Sequence, residues 1–146
     1  MAVSVVGLDA VGRWHMRVTA LYAGLLVPLF LVLSVRVILA RRGAQVAVGD
    51  GGDAMLQRRA RVQANFAEYA PLGLGLVLLG LAEGLGTWPL VLHGLGLMLL
   101  AGRGLHAFGM SVVPERFVFR VSGMVLTLTM LAMAAAVCLV GALRGA

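Results

Sequence analysis

A chain of 146 residues that is 61% hydrophobic and 12% charged, with a mean hydropathy of +0.99, carries more apolar surface than a soluble domain of this size could bury. The class that remains is an all-α membrane protein, one domain of about four spans joined by short loops. The net charge of +6 is carried by arginine alone, without lysine. Such a balance can mark a nucleic-acid binder, but here the arginines flank apolar spans, where they orient the chain, so nucleic acid is not an expected partner.

The first residues do not read as a signal peptide. Asp9, Arg13 and Arg17 interrupt them, and the apolar run that follows is long enough to span and be retained. Span 1 is expected at residues 18–40, with Pro28 inside it and Arg36 one turn before its end. A loop rich in glycine and aspartate follows, and Asp53 is placed to cap the next helix. One continuous helix is expected from Ala54 to Ala82, wet and basic at its start (Arg58, Arg59, Arg61) and wholly apolar from Tyr69. The apolar part is too short to cross alone, so span 2 must reach back over residues 61–82. That places the Glu68 carboxylate below the membrane surface.

Glu83-Gly84-Leu85-Gly86 reads as a turn into span 3, residues 88–108, with Trp88 as an interfacial anchor. A short loop through Pro114 leads to a last helix from about Glu115, whose span covers residues 118–143. Glycines in spans 2 and 3, among them Gly94, Gly96, Gly102 and Gly104, predict close approach of helix backbones. The loops after spans 1 and 3, with their helix ends, carry nine arginines. The other side carries three, Arg13, Arg17 and Arg144, so both loops are expected in the cytoplasm and both termini outside.

The chemistry gathers at the arginine-rich face. Arg61, Asn65 and Glu68 lie at i, i+4 and i+7, which puts them on one helical face. Ionisable groups in a span are costly and mark sites by default. Span 3 adds Arg103 and His106, one turn apart. The last helix adds Arg120, in phase with Gly123 and Thr127, and span 1 adds Arg36. A cationic cavity with one carboxylate and one amide suits a small peptide-like anion: arginine forks take carboxylates, and Glu68 takes an ammonium.

These residues resemble a known family. Arg61-x-Gln63-x-Asn65-x-x-Glu68-Tyr69-x-Pro71 is similar to the helix 2 signature of MAPEG proteins, membrane-associated proteins in eicosanoid and glutathione metabolism. Val37-Ile38-Leu39-Ala40-Arg41-Arg42 resembles the end of their helix 1. The stretch from Gly102 to Met110 resembles helix 3 of the bacterial branch, and Arg120-Val-Ser-Gly123-Met124 with Thr127 resembles the start of helix 4. The resemblance implies a homotrimer of four-transmembrane-helix bundles in a bacterial inner membrane, with glutathione held near the cytoplasmic face.

On that analogy Arg36, Arg61, Asn65, Glu68, Tyr69, Arg103 and His106 bind glutathione. Arg120, with Arg116 as the alternative, stabilises its thiolate, since a neighbouring cation lowers a thiol's pKa. The implied function is a glutathione transferase or peroxidase acting on lipophilic electrophiles or hydroperoxides. The chain departs from the eukaryotic pattern in having only Tyr22 and Tyr69, with His106 and Met110 near the positions of helix 3 tyrosines. A non-catalytic binding or scaffold protein of the same fold is therefore the competing reading. His93, alone in an apolar stretch, reads as a packing residue, and Cys138 as an inert thiol. The three histidines and one cysteine form no metal-ligand set, so no metal is expected.

Overall fold

Long runs of Leu, Val, Ala and Met leave the backbone only itself to hydrogen-bond with in lipid, and helices are the result. In the computed structural model, which describes residues 17–70 and 74–145, five helices follow one another. They are α1 Arg17–Ala44, α2 Ala54–Tyr69, α3 Leu74–Gly84, α4 Pro89–Ser111 and α5 Phe117–Gly145. Asp9, Arg13, Pro71 and His15, one of the three histidines, lie outside the described residues.

Three helices, α1, α4 and α5, are long and apolar enough to cross a membrane. Only 11% of the apolar window of α1 is buried within the protein, and Leu21, Leu25, Leu31 and Val32 face outward. Lipid tails are as apolar as these side chains, so a bilayer removes the cost that water would impose. Inside the bundle, Leu26 and Leu33 of α1 pack with Phe66 of α2, with Leu92, Leu95 and Leu99 of α4, and with Met130 and Ala134 of α5.

The expectation of one helix from Ala54 to Ala82 is corrected. The structure has two helices, α2 of 16 residues and α3 of 11. The physical reason is proline at 71, which has no N–H to donate and whose ring collides with the carbonyl of residue i−4 in a continuing helix. The Ala70 amide donates to the Phe66 carbonyl at the end of α2. At about 24 Å and 16 Å, neither piece alone crosses a hydrocarbon layer of about 30 Å.

The helix ends follow their sequences. Asp53 caps α2, its Oδ1 accepting from the Leu56 amide at 2.8 Å. The α1 end closes with Val46 N–H on the Arg41 carbonyl and Gln45 N–H on the Arg42 carbonyl, Gln45 having φ 55°. The Arg41 guanidinium fastens the following loop, donating to Gly49 O at 2.7 Å. At the opposite end of the bundle, Glu83 is 3% exposed and takes the first free amides of α1, Val18 at 2.9 Å and Thr19 at 2.8 Å. Glu83 is thus a buried helix cap and not the turn residue its glycine neighbours suggest. His93 behaves as a packing residue, its carbonyl accepting from the Tyr22 hydroxyl at 3.0 Å.

The most extensive helix pair is α4 with α5. Their backbones touch where glycine removes the side chain. A Cβ on Gly102 would sit 2.9 Å from the Gly123 carbonyl, one on Gly109 would strike the Arg120 amide, and one on Gly123 would strike the His106 amide. Gly94 and Gly104 of the same helix face open space. Gly123→Ala or Gly109→Ala must therefore push the helices apart, at the roughly 1–3 kcal/mol typical of overpacking or more. Gly104→Ala should be neutral or slightly stabilising. Thermal unfolding of the three variants in one detergent checks this contrast.

Candidate functional site

Asn65 turns inward from α2 and is buried, whereas Arg61 and Glu68 on the same helix are exposed and Tyr69 is half-buried. Asn65 turns inward because α4 presents Arg103 there. Arg103 is 1% exposed and is the largest fully buried side chain among the described residues. Its Nε donates to Thr127 Oγ1 at 3.0 Å, one Nη to Asn65 Oδ1 at 2.9 Å, and the other approaches the Met124 sulfur at 3.9 Å. The Tyr69 ring covers the guanidinium, 5.1 Å from its centre. Thr127 completes the arrangement by donating to the Gly123 carbonyl at 2.9 Å. Two neutral side chains and an aromatic face thus hold a buried cation, and no carboxylate among the described residues pairs with it.

One turn along α4, His106 is 4% exposed, with Nδ1 2.9 Å from the Arg120 carbonyl of α5. The Arg120 guanidinium donates to Glu115 at 2.7 Å, and Arg58 of α2 donates to the other oxygen of the same carboxylate at 2.9 Å. Glu115, which the sequence places merely at the start of the last helix, therefore ties α2 to α5. Its signal was available: it is the only acidic residue near the second arginine-rich loop.

Between α2, α4 and α5 lies a cleft of about 460 Å³. Arg61, Asn65, Tyr69, His106 and Arg120 supply its polar side chains, and Phe117, Val121, Met124, Val125 and Leu128 its apolar wall. A second cleft of about 390 Å³ adjoins it through Arg61 and holds Arg58 and Glu115. The structure thus assembles Arg61, Asn65, Tyr69, His106 and Arg120, with Arg103 directly behind Asn65. It does not bring in Arg36, whose guanidinium donates to Ser111 Oγ at 2.9 Å at the end of α4. Nor does Glu68 line the cleft; it faces outward without a hydrogen bond among the described residues. Arg116, the alternative to Arg120, lies over the Phe108 ring at 5.6 Å and outside the cleft. A larger cavity at the opposite end, about 570 Å³, is mostly apolar with Thr87 and Arg144 as its polar side chains, so the convergent chemistry lies at the arginine-rich end.

The class this architecture defines is a helical multi-pass membrane protein with an arginine-lined cleft at one end of its spans. Residues 19–139 match the MAPEG family model, and the chain belongs to the MAPEG family. It is similar to the inner membrane protein YecN of Escherichia coli strain K12, with 39% identity over 107 residues covering 73% of this chain and 79% of that protein. The YecN of Escherichia coli strain CFT073 matches to the same extent.

Two predictions follow from the cleft's supports. Thr127→Val removes the acceptor of Arg103 Nε and leaves a buried charged donor unmatched, which should cost roughly 1–3 kcal/mol in detergent unfolding. Thr127→Ser should restore most of it. Glu115 lies outside the spans, and its hydrogen bond to the Arg120 guanidinium, helped by Arg58, holds its carboxyl below the ordinary 4.5. A lowered folded value means the bridge stabilises the protein fully at neutral pH. That contribution is lost as pH falls below about 4.5, through the lowered folded value. Unfolding scans from neutral to acid pH should show this loss in wild type and not in Glu115→Gln.

Proposed function

We propose that this protein is an integral membrane glutathione-binding protein, a transferase or peroxidase for lipophilic electrophiles or hydroperoxides. The observation that carries the reading is the cleft itself. Three cationic or amide side chains (Arg61, Asn65, Arg120) and a histidine converge on a space whose other wall is apolar. Guanidinium groups take the carboxylates of a peptide-like anion, and the apolar wall accepts a substrate that partitions into lipid. Arg120 is the thiolate stabiliser in this reading, because it lines the cleft and Arg116 does not.

The assembly proposed is a homotrimer of four-span protomers, with α2 and α3 together making the second crossing, residues 61–82, beside spans at 18–40, 88–108 and 118–143. Glu68 supports the trimer: an outward-facing carboxylate in a membrane-length segment needs a partner, and a neighbouring protomer supplies one. Arg36, outside the cleft at the end of α4, would serve a ligand shared with that neighbour. The arginine count and the inner-membrane relatives support a bacterial inner-membrane location, termini outside and cleft facing the cytoplasm.

Isothermal titration of the detergent-purified protein with glutathione tests the reading. Saturable binding should weaken roughly ten- to a hundredfold in Arg61→Ala, in line with loss of a charge-assisted pair, and also in Glu68→Gln. Heat-silent titration of a folded wild-type protein would sink it. A non-catalytic scaffold is the second reading. It is favoured by one observation: Arg103 and Arg120 already have internal partners. Robust conjugation of a chlorodinitrobenzene-type electrophile, falling roughly a hundredfold in Arg120→Ala, excludes it.

A further inference from the structure

The larger cavity, at the end of the bundle away from the arginine-rich cleft, has its own chemistry. It encloses about 570 Å³ between the α3–α4 connection and the last turns of α5. Leu85 lines it from the connection, and Ala136, Val137 and Val140 line it from α5. Thr87 and Arg144 are its polar side chains. Positions 136, 137, 140 and 144 share one face of a helix, so the wall is an apolar strip of α5 that ends in a guanidinium.

The cavity also has a direction. Trp88, next to Thr87, is 70% exposed at the start of α4, and an exposed tryptophan at a span's end sits at headgroup level. Arg144, in the last turn of α5, lines the same cavity as Thr87. Ala136 lies more than two turns back along α5, about 12 Å deeper by helical rise. The space therefore runs from the headgroup layer into the hydrocarbon, polar at its rim and apolar below.

Arg144 complements the negative end of the α5 dipole, but that role uses its charge and none of its N–H donors. Among the described residues, neither its guanidinium nor the Thr87 hydroxyl has a hydrogen bond or ion pair. Glu83, the only acidic residue described at this end, is buried and turned to the amides of α1. A phosphate thus meets a guanidinium fork and a hydroxyl in the cavity, whereas an ammonium meets no carboxylate.

We infer that this cavity binds an anionic membrane phospholipid. Its phosphate rests on Arg144 and Thr87, and an acyl chain lies along the α5 strip. Head groups of net negative charge are selected over zwitterionic ones, whatever the cleft at the other end binds.

The chain has two tryptophans, so Trp14→Phe leaves Trp88, beside the cavity, as the only one. The full chain with that change is reconstituted in phosphatidylcholine bilayers containing rising fractions of acyl-brominated phosphatidylglycerol or phosphatidylethanolamine. Bromine quenches indole emission at short range, so each curve reads the relative affinity of that lipid next to Trp88. Phosphatidylglycerol should be favoured about fivefold, the weight of roughly one arginine at a membrane surface. Arg144→Gln should remove most of that preference, and so should Ala136→Phe, which fills the apolar strip. Both positions are exposed, so the core is spared. Arg42→Gln, at the other end of the bundle, should leave the preference unchanged. Equal quenching by the two lipids would overturn the inference, as would a preference that survives both Arg144→Gln and Ala136→Phe. Stronger quenching by brominated oleate than by phosphatidylglycerol would replace the phospholipid with a carboxylate amphiphile. Failure of every brominated lipid to quench would show the groove filled by protein, and would also overturn it.

Discussion

The arrangement depends on how a guanidinium is kept inside the bundle without a carboxylate. Arg103 is satisfied by Asn65, Thr127 and the Tyr69 ring, which come from α2 and α5 and not from its own helix. Burying a charge is tolerable only when its donors are matched, so the three helices must hold the spacing and register that match them. Asn65 is therefore a structural residue before it is a binding residue. Its side chain faces inward because Arg103 requires it, and that sets which face of α2 borders the cleft.

Electrostatics and topology are linked through the same end of the molecule. Glu115 gathers Arg58 and Arg120, and Glu83 at the far end gathers two amides of α1. Each carboxylate links elements distant in sequence. Glu115 is half-exposed and its bridge is screened, so it directs the Arg120 side chain more than it stabilises the protein. Glu83 is buried, and there the carboxylate meets the positive end of a helix.

Much of the fold was legible because membrane physics is simple. Uninterrupted apolar runs give spans, arginine marks one face, and Asp53 before a helical stretch gives a cap. The break at the end of α2 was also written in the chain as Pro71, but the need to fill a membrane-length segment argued for continuity and outweighed the local rule. The cleft residues were legible as a set because helical spacing aligns Arg61 with Asn65, and Arg103 with His106. What spacing could not give was partners. It placed Thr127 beside Arg120, whereas Thr127 in fact holds Arg103 from across the helix interface. It placed Glu68 with the pocket, although the carboxylate is exposed one turn beyond Asn65 and lines no part of the cleft. Glu83 sat in a glycine-rich turn and offered no sign that its partners lay 64 and 65 residues away.

The contact of α4 and α5 at Gly102, Gly109 and Gly123 has a mechanical reading. Where backbones touch, separation is set by covalent geometry and van der Waals radii and not by rotamers, which are free to change. The α4–α5 pair is thus a rigid plate, and His106 and Arg120 are mounted on it as on a fixed jaw. The helix bearing Arg61 and Tyr69 meets that plate through side-chain hydrogen bonds, the softer joint, so differences in ligand size are taken up on the α2 side while the spacing of the α4 and α5 backbones that carry His106 and Arg120 stays constant.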